Sequence, residues 1–355
     1  MKAVDLLIIG QGIAGINLSY IAKSKGLSCL HLHRHSAGES TKVAAGLINP
    51  ITGRRFVKSW NIEQFFPFAL AHYQQMESEF SASFIDRLNI LRTFRNLSEE
   101  NTWLSKSADP FLKDFLLENL VFDKRAYAQR LHLSELMGEL NNCLRIKLEA
   151  IQKLYIEHLR KIDELIEEWY DSEKMTLGVS HITYRDIKAK NVVFAEGWRS
   201  IYNPLWKDLP FVPSKGELFI VHAPDLKLKS AFKNSMFITP LDDDLYWVGA
   251  TYEWQNYDPE IGDKMKTKLL THLENSILTD YEIRAHLSGI RPSTKDRRPI
   301  IGPHRNHKNV LLFNGMGTKG SSLSPYYADV LTNYIINRTK IPEEVSTNRY
   351  YSFYE

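Results

Sequence analysis

The sequence has little cysteine, no long apolar run and almost no excess of charge of either sign. Cys29 and Cys143 are its only cysteines, which is too few for a disulfide framework and fits a reducing compartment. No stretch approaches the ~18 consecutive apolar residues of a membrane-spanning helix. A net charge of +3 over 355 residues gives no strong signal for nucleic acid or for an anionic membrane surface. We therefore expect a globular cytoplasmic protein, long enough for two domains.

The N-terminal residues carry the clearest motif. Residues 4–9, VDLLII, form a short apolar run that is typical of a central parallel strand. They lead directly into Gly10, Gly12 and Gly15, in G-x-G-x-x-G spacing, followed by an apolar helical stripe and a second apolar run, LSCLHLH. In this order the glycines permit a tight turn, close approach of a pyrophosphate, and close packing of helix on strand. The pattern predicts a dinucleotide-binding β-α-β unit.

Three histidines alternate at the end of the second run: His31, His33 and His35. Side chains two residues apart share one face of a strand, so this spacing by itself suggests a metal site. No further histidine or carboxylate stands at a spacing that would complete such a site, and we predict no bound metal. Basic residues after the second strand also favour the 2′-phosphate of NADP. A nicotinamide-dependent oxidoreductase is therefore one alternative.

The remainder of the chain mixes helical and strand patterns. Residues 59–80 and 109–140 suggest helices with turns, and residues 151–169 carry an apolar stripe on one helical face. Residues 190–197 and 215–221 suggest strands, and residues 235–254 a hairpin whose three aspartates, 242–244, are expected to be solvated. Residues 309–317 predict another strand that ends in glycine, followed by a helix. Strands that end in glycine near the beginning, middle and end indicate a nucleotide-binding domain built from separated segments.

Several blocks together resemble the D-amino acid oxidase and glycine oxidase family of FAD-dependent oxidoreductases. They are DLLIIGQGIAG, STKVAAGLINP, NVVFAEGW, WVGATYE, LSGIRPSTKDRRPIIGPH and NVLLFNGMGTKGSSLSP, in the family's order along nearly the whole chain. The resemblance implies an α/β fold with a Rossmann-like FAD-binding domain of discontinuous segments, 1–58, 140–205 and 285–355. It also implies an α+β substrate-binding domain with a mostly antiparallel sheet, 59–139 and 206–284.

The same resemblance implies a function and a set of site residues. The function is oxidation of a small-molecule amine or amino acid by hydride transfer to non-covalent FAD. Arg291 would bind the substrate carboxylate, a bidentate contact that suits arginine, and Tyr252 and Lys319 would lie near the reacting groups, with Trp254 as another candidate. The residues expected to contact FAD are Gly10, Gly12, Ile13, Ala14, Gly15, His33, Arg34, Ala45, Gly46, Ile48, Ala195, Glu196, Gly197, Gly315, Met316, Gly317, Thr318, Lys319 and Gly320.

Three positions depart from the family's pattern. His33 stands where relatives usually place an acid on the adenosine ribose, Phe237 where some glycine oxidase relatives have a pocket tyrosine, and Thr318 where several have an arginine. Tyr246 would replace the missing hydroxyl only if the hairpin turned it inward. These departures keep two further alternatives open: an FAD enzyme acting on a tRNA-linked amine, and a non-catalytic flavin-binding module. No feature of the sequence specifies an oligomeric state.

Overall fold

The computed structural model describes residues 2–118, 122–254 and 256–351. The α-helices among them are α1 (Ile13–Ser24), α2 (Ser40–Val43), α3 (Ile62–Phe80), α4 (Leu97–Ser107), α5 (Lys124–Tyr127), α6 (Leu148–Lys161), α7 (Asp263–Glu274) and α8 (Gly320–Asn337). In the part of the chain so described, no helix combines the length and the apolar character that crossing a membrane requires.

The strands of the first half are β1 (Lys2–Ile9), β2 (Cys29–Leu32), β3 (Leu47–Ile48), β4 (Ile51–Thr52), β5 (Val57–Lys58), β6 (Ile85–Thr93), β7 (Leu116–Leu117), β8 (Met137–Ile146), β9 (Leu165–Ile166) and β10 (Met175–Leu177). Those of the second half are β11 (Ile182–Tyr184), β12 (Ile187–Phe194), β13 (Ser214–His222), β14 (Ala231–Lys233), β15 (Phe237–Pro240), β16 (Leu245–Gly249), β17 (Glu253–Trp254), β18 (Glu282–Arg291), β19 (Ile300–Pro303) and β20 (Val310–Asn314).

The first sheet has a parallel centre. β2, β1, β12 and β20 lie side by side in that order, all parallel, with β9 added parallel to β2. β19 and β11 extend the sheet antiparallel. The central strands are almost continuously buried, as expected for a parallel sheet covered on both faces. Because their carboxyl ends meet at one edge, the turns that follow them form a common binding crevice.

The second sheet is mostly antiparallel. Its strands run in the order β17-β13-β16-β15-β14-β6-β8-β3, with β18 paired to β13 and β7 paired to β8. Only the β14–β6 pair among these is parallel in the described residues. The two sheets draw on separated parts of the chain, which agrees with the mixed α/β architecture that the resemblance implies.

Two predicted helical regions differ from the structure. The stripe at residues 151–169 breaks after α6, because Asp163 takes a left-handed conformation with φ 54° and Leu165 and Ile166 enter β9. Among residues 109–140 the only described α-helix is the short α5, whereas β7 and the start of β8 belong to the second sheet. There the long pairing of β8 with β6 overrides the local helical pattern.

The predicted domain boundaries at 140 and 285 also fall inside strands. β8 and β18 both belong to the second sheet over their whole lengths. The division of the chain into two domains itself stays a prediction.

Helices α1 and α8 pack side by side against the parallel sheet. A buried polar network joins them: Asn17 Nδ2 donates to Ser324 Oγ at 2.7 Å, and Tyr73 OH of α3 donates to the Ser321 carbonyl at 2.9 Å. The first residues of both helices come together at one place, since a Cβ on Gly320 would lie 3.2 Å from Ile13 Cγ2. The two helix N-termini therefore face the same space.

Candidate active site

A cleft of about 760 Å³ opens at the carboxyl edge of the parallel sheet and continues over the second sheet. Arg291 and Tyr252 are in its lining. The predicted cofactor residues that line it are Gly10, Gly12, Ile13, Ala14, His33, Arg34, Ala45, Gly46, Ile48, Ala195, Glu196, Gly197, Met316, Gly317, Thr318, Lys319 and Gly320. Gly15 and Gly315 lie behind the wall. The structure thus brings together nearly all of the predicted site residues, although their individual roles remain predictions.

The turn between β1 and α1 is shaped by glycine. Gly10 has φ +101°, and a Cβ there would lie 2.4 Å from the Ala195 carbonyl oxygen. A Cβ on Gly15 would lie 1.9 Å from the Gly10 carbonyl oxygen, so the helix can approach the turn only because no side chain intervenes. The positive end of the α1 dipole therefore faces the cleft at close range, as pyrophosphate binding requires.

Beside this turn, His33, His35 and Glu39 form a chain of polar contacts. The Gln11 backbone N–H donates to His33 Nδ1 at 3.3 Å, His33 Nε2 lies 3.3 Å from His35 Nδ1, and His35 Nδ1 lies 3.2 Å from Glu39 Oε2. Burial is the main reason why the pKa of His33 falls to about 4. Neutral His33 and the Glu39 carboxylate both line the cleft, so a carboxylate is present here although residue 33 is not one.

The same three side chains could together ligate a metal ion, whereas the sequence predicts no bound metal. Their donor atoms lie within 4.8 Å of one another, and within the described ranges no other set of three His, Cys, Asp or Glu side chains is so grouped. The contacts in the cluster also hold it together without an ion. The absence of a bound metal therefore stays a prediction.

On the opposite wall, the segment after β20 leads into α8 with Lys319 as its N-cap. Burial lowers the pKa of Lys319, and the nearby Arg298 lowers it further. Glu196 lies after β12, where burial raises its pKa to about 7 while Asn203 Nδ2 donates to its carboxylate at 2.8 Å. A helix N-terminus and a partly buried lysine at this wall suit the electron-rich edge of a reduced flavin.

The substrate end of the cleft is organised around Arg291, the last residue of β18. Its guanidinium lies over Gly216, where a Cβ would come within 2.4 Å of Nη2, and stacks on Tyr252 with Cζ 4.1 Å from the ring centroid. Both terminal nitrogens lie 3.5 Å from the Thr251 carbonyl oxygen, a long contact. Burial lowers the pKa of Arg291, and no Asp or Glu of the described ranges forms an ion pair with it. The cleft therefore holds a largely buried cation without a carboxylate partner.

Four other residues that the sequence singled out lie in different places. Tyr246 faces away from the cleft, because its hydroxyl accepts from the Leu228 backbone N–H at 3.1 Å within the core. It does not supply the hydroxyl that Phe237 lacks. Trp254 is about half exposed and lies outside the lining, whereas Phe237 and Thr318 are part of it.

Sequence reasoning missed Lys233 and Trp247, which both line the cleft. Trp247 Nε1 donates to the Val43 carbonyl at 2.7 Å and so ties the second sheet to the end of α2 at the cleft. Lys233 lies on β14, which pairs with β6, more than a hundred residues away, and with the nearby β15. No motif indicates Lys233, whereas Trp247 begins the block WVGATYE, although nothing in that block marks it as a lining residue.

The sequence model of the family described as DAO, FAD dependent oxidoreductase, matches residues 156–334. The chain is 24% identical to a glycine oxidase of Bacillus subtilis (strain 168) over 360 residues, covering 94% of this chain and 93% of the relative. It is 21% identical to a glycine oxidase of Pseudomonas aeruginosa, covering 95% and 96%. A shorter match, 25% identical and covering 34% of this chain and 19% of the relative, is to a tRNA 5-methylaminomethyl-2-thiouridine biosynthesis bifunctional protein of Legionella pneumophila (strain Corby).

Solved structures agree in fold. Glycine oxidase from Geobacillus kaustophilus superposes with a TM-score of 0.79 at 18% identity, covering 96% of each chain. An iminodiacetate oxidase from Chelativorans sp. BNC1 gives 0.77 at 18% identity, covering 96% of this chain and 98% of that one.

Proposed function

Because this chain belongs to the D-amino acid oxidase family of FAD-dependent oxidoreductases, we propose that it oxidises an amine or amino acid whose carboxylate binds Arg291. The observation that carries the proposal is the Arg291 guanidinium itself, which lines the cleft with no acidic partner among the described residues. A buried cation of this kind is stabilised when a carboxylate ligand supplies the missing charge.

Several parts of the chain fit FAD. The glycine turn and the α1 N-terminus would hold the pyrophosphate. His33 and Glu39 would lie at the adenosine, and the wall that leads into α8 would contact the flavin ring. We propose that FAD binds non-covalently, because neither cysteine lines the cleft and both are buried. Burial also raises the pKa of the Cys29 thiol to about 12, which opposes the thiolate that a covalent link would need.

FAD, when bound, accepts the α-hydrogen of the substrate with two electrons as a hydride. The chain's own contribution is orientation and charge. Arg291 holds the carboxylate, and Tyr252 holds the guanidinium in place by stacking. Arg291 makes this end of the cleft positive, and positive surroundings favour the neutral form of a bound amine. A neutral amine has the free lone pair that assists hydride loss, so the site needs no dedicated base.

The test is anaerobic bleaching of the flavin by amines and by D- and L-amino acids, with FAD release on denaturation as the check of non-covalent binding. For a substrate that bleaches, Arg291→Ala should raise the dissociation constant about 10- to 100-fold, since charge-assisted hydrogen bonds contribute roughly 1.5–3 kcal/mol. The matched control is Arg284→Ala, since Arg284 lies on the same strand but is exposed and pairs with Glu282. An unchanged constant in Arg291→Ala, at full FAD content, would contradict the assignment.

A second candidate substrate is an amine carried on tRNA, favoured only by the partial match to the tRNA biosynthesis protein. The bleaching series separates the two proposals. If no free amine or amino acid reduces the flavin while a tRNA bearing a substituted aminomethyl group does, the macromolecular substrate replaces the free one.

A further inference from the structure

Lys233 is another cation that lines the cleft, and it has no acidic partner among the described residues. It lies at the end of β14, and its Nζ donates to the Ser235 carbonyl at 2.8 Å and lies 4.5 Å from the Phe237 ring centroid. That single hydrogen bond leaves two of its three donors for other groups. No Asp or Glu within the described ranges pairs with it. The proposed function leaves this residue unused.

The charged groups that act on Lys233 are two arginines, one of which, Arg95, pairs with Glu99. Arg92 is its register partner across the β14–β6 pair, and Arg92 and Arg95 add to burial in lowering the pKa of Lys233 to about 8. His272, which packs nearby through Ser235, has a pKa lowered by burial to about 4 and is neutral. Lys233 is therefore still mostly protonated at neutral pH, in a place where like charges repel it and an anion would stabilise it further.

The sheet register places Lys233 on the same face of the second sheet as Arg291, several strands away. One row of register partners crosses four adjacent strands and consists of Leu218, Gly249, Phe237 and Lys233. Gly216, two residues before Leu218, lies under the Arg291 guanidinium. Neighbouring strands lie ~4.8 Å apart, so the row from Leu218 to Lys233 spans ~14 Å between backbones. The lysine side chain leans over Phe237 and shortens this gap. The span suits a small ligand with an anionic group at each end, rather than glycine.

We propose that Lys233 binds a second anionic group of the substrate, so that the enzyme acts on amines or amino acids with two carboxylates or a carboxylate and another acidic group. This inference rests on the proposed function, because it takes Arg291 as the site of the first carboxylate. One carboxylate binds Arg291 and the other binds Lys233, with Phe237 beneath the chain that joins them. The reacting carbon and its amine then lie between two fixed points, which orients them toward the cofactor wall.

The experiment measures dissociation constants of two unreactive ligands with the FAD-loaded enzyme, glutarate and butyrate, from the change they cause in flavin absorbance. The wild-type enzyme should bind glutarate at least tenfold more tightly than butyrate, since a charge-assisted contact contributes roughly 1.5–3 kcal/mol. Lys233→Met should bring the ratio close to one, and Lys233→Arg should keep most of it. Lys229→Met is the matched control, because Lys229 is exposed two residues before β14, and it should keep the wild-type ratio.

Two results would overturn the inference: a wild-type ratio near one, or an unchanged ratio in Lys233→Met. The first needs no variant and so holds even if a variant folds poorly. Flavin bleaching by iminodiacetate and by N-methylglycine, which differ by one carboxylate, distinguishes a failure of the second anion site from a failure of the proposed function. Equal bleaching by both removes only the second anion site, whereas no bleaching by any amine removes the proposed function.

Discussion

We expect His31, which is buried in the parallel sheet, to make the stability of the fold sensitive to acid. Its ring is fully buried, with Nδ1 2.9 Å from Gln11 Nε2 and Nε2 3.1 Å from Ser19 Oγ. Burial, helped by Lys23, lowers its pKa from 6.5 to about 3. In the unfolded chain the same imidazole takes up a proton near pH 6.5. Between these values only the unfolded state gains the proton, so the stability that neutral His31 provides is complete above pH 6.5 and is lost as pH falls toward 3.

The magnitude at pH 5 follows from the unfolded value alone, because the folded value lies far below 5. The 1.5 pH units between 6.5 and 5, at 1.36 kcal/mol each, amount to a loss of about 2 kcal/mol. That is a substantial part of the 5–15 kcal/mol by which a typical domain is stable.

The assay is urea unfolding of the FAD-saturated protein at pH 7.5 and pH 5. His31→Gln has no titrating group at this position, so its loss between the two pH values should be about 2 kcal/mol smaller than that of the wild type. The comparison uses differences, so any constant destabilisation by the substitution cancels. His132→Gln, at an exposed position, serves as the control. Equal pH dependence in wild type and His31→Gln would refute the reasoning.

Two glycine substitutions test the geometry of the two ends of the cleft. Gly15→Ala places a Cβ 1.9 Å from the Gly10 carbonyl oxygen and should displace the turn. The purified protein should therefore lose most of its FAD. A normal ratio of FAD to protein would show that the turn is not the pyrophosphate site. Gly216→Ala places a Cβ 2.4 Å from Arg291 Nη2. By moving the guanidinium it should lower the affinity for carboxylate ligands about tenfold, while the FAD content stays normal. An unchanged dissociation constant would show that carboxylates bind elsewhere.

The features that sequence predicts well here are local. The G-x-G-x-x-G turn needs only neighbouring residues, and the hairpin of β15 and β16 follows from alternation on either side of the aspartates. The glycine-rich segment before α8 is likewise readable from its composition. Because such patterns set backbone shape directly, the turns at the edge of the parallel sheet were largely predictable, while the roles of their residues stay predictions.

The features that were missed depend on pairing between distant segments. β8 carries residues that suit a helix, and only its partner β6 makes it a strand. Lys233 stands in a short strand whose neighbours, β6 and β15, decide which way its side chain points. Tyr246 and Trp247 are adjacent in sequence, yet one enters the core and the other the cleft, because successive strand residues alternate faces. The substrate end therefore required the sheet register.

The buried network between α1 and α8 can form only late in the synthesis of the protein. Asn17 and Ser324, which it joins, are 307 residues apart in the chain. At about 5–20 residues per second, a ribosome needs roughly 15–60 s between them. During that interval α1 has no partner for the face that α8 covers, and the two helix starts that line the cleft are not yet together. We therefore expect FAD binding to require almost the whole chain, because the glycine turn forms early and α8 is made last.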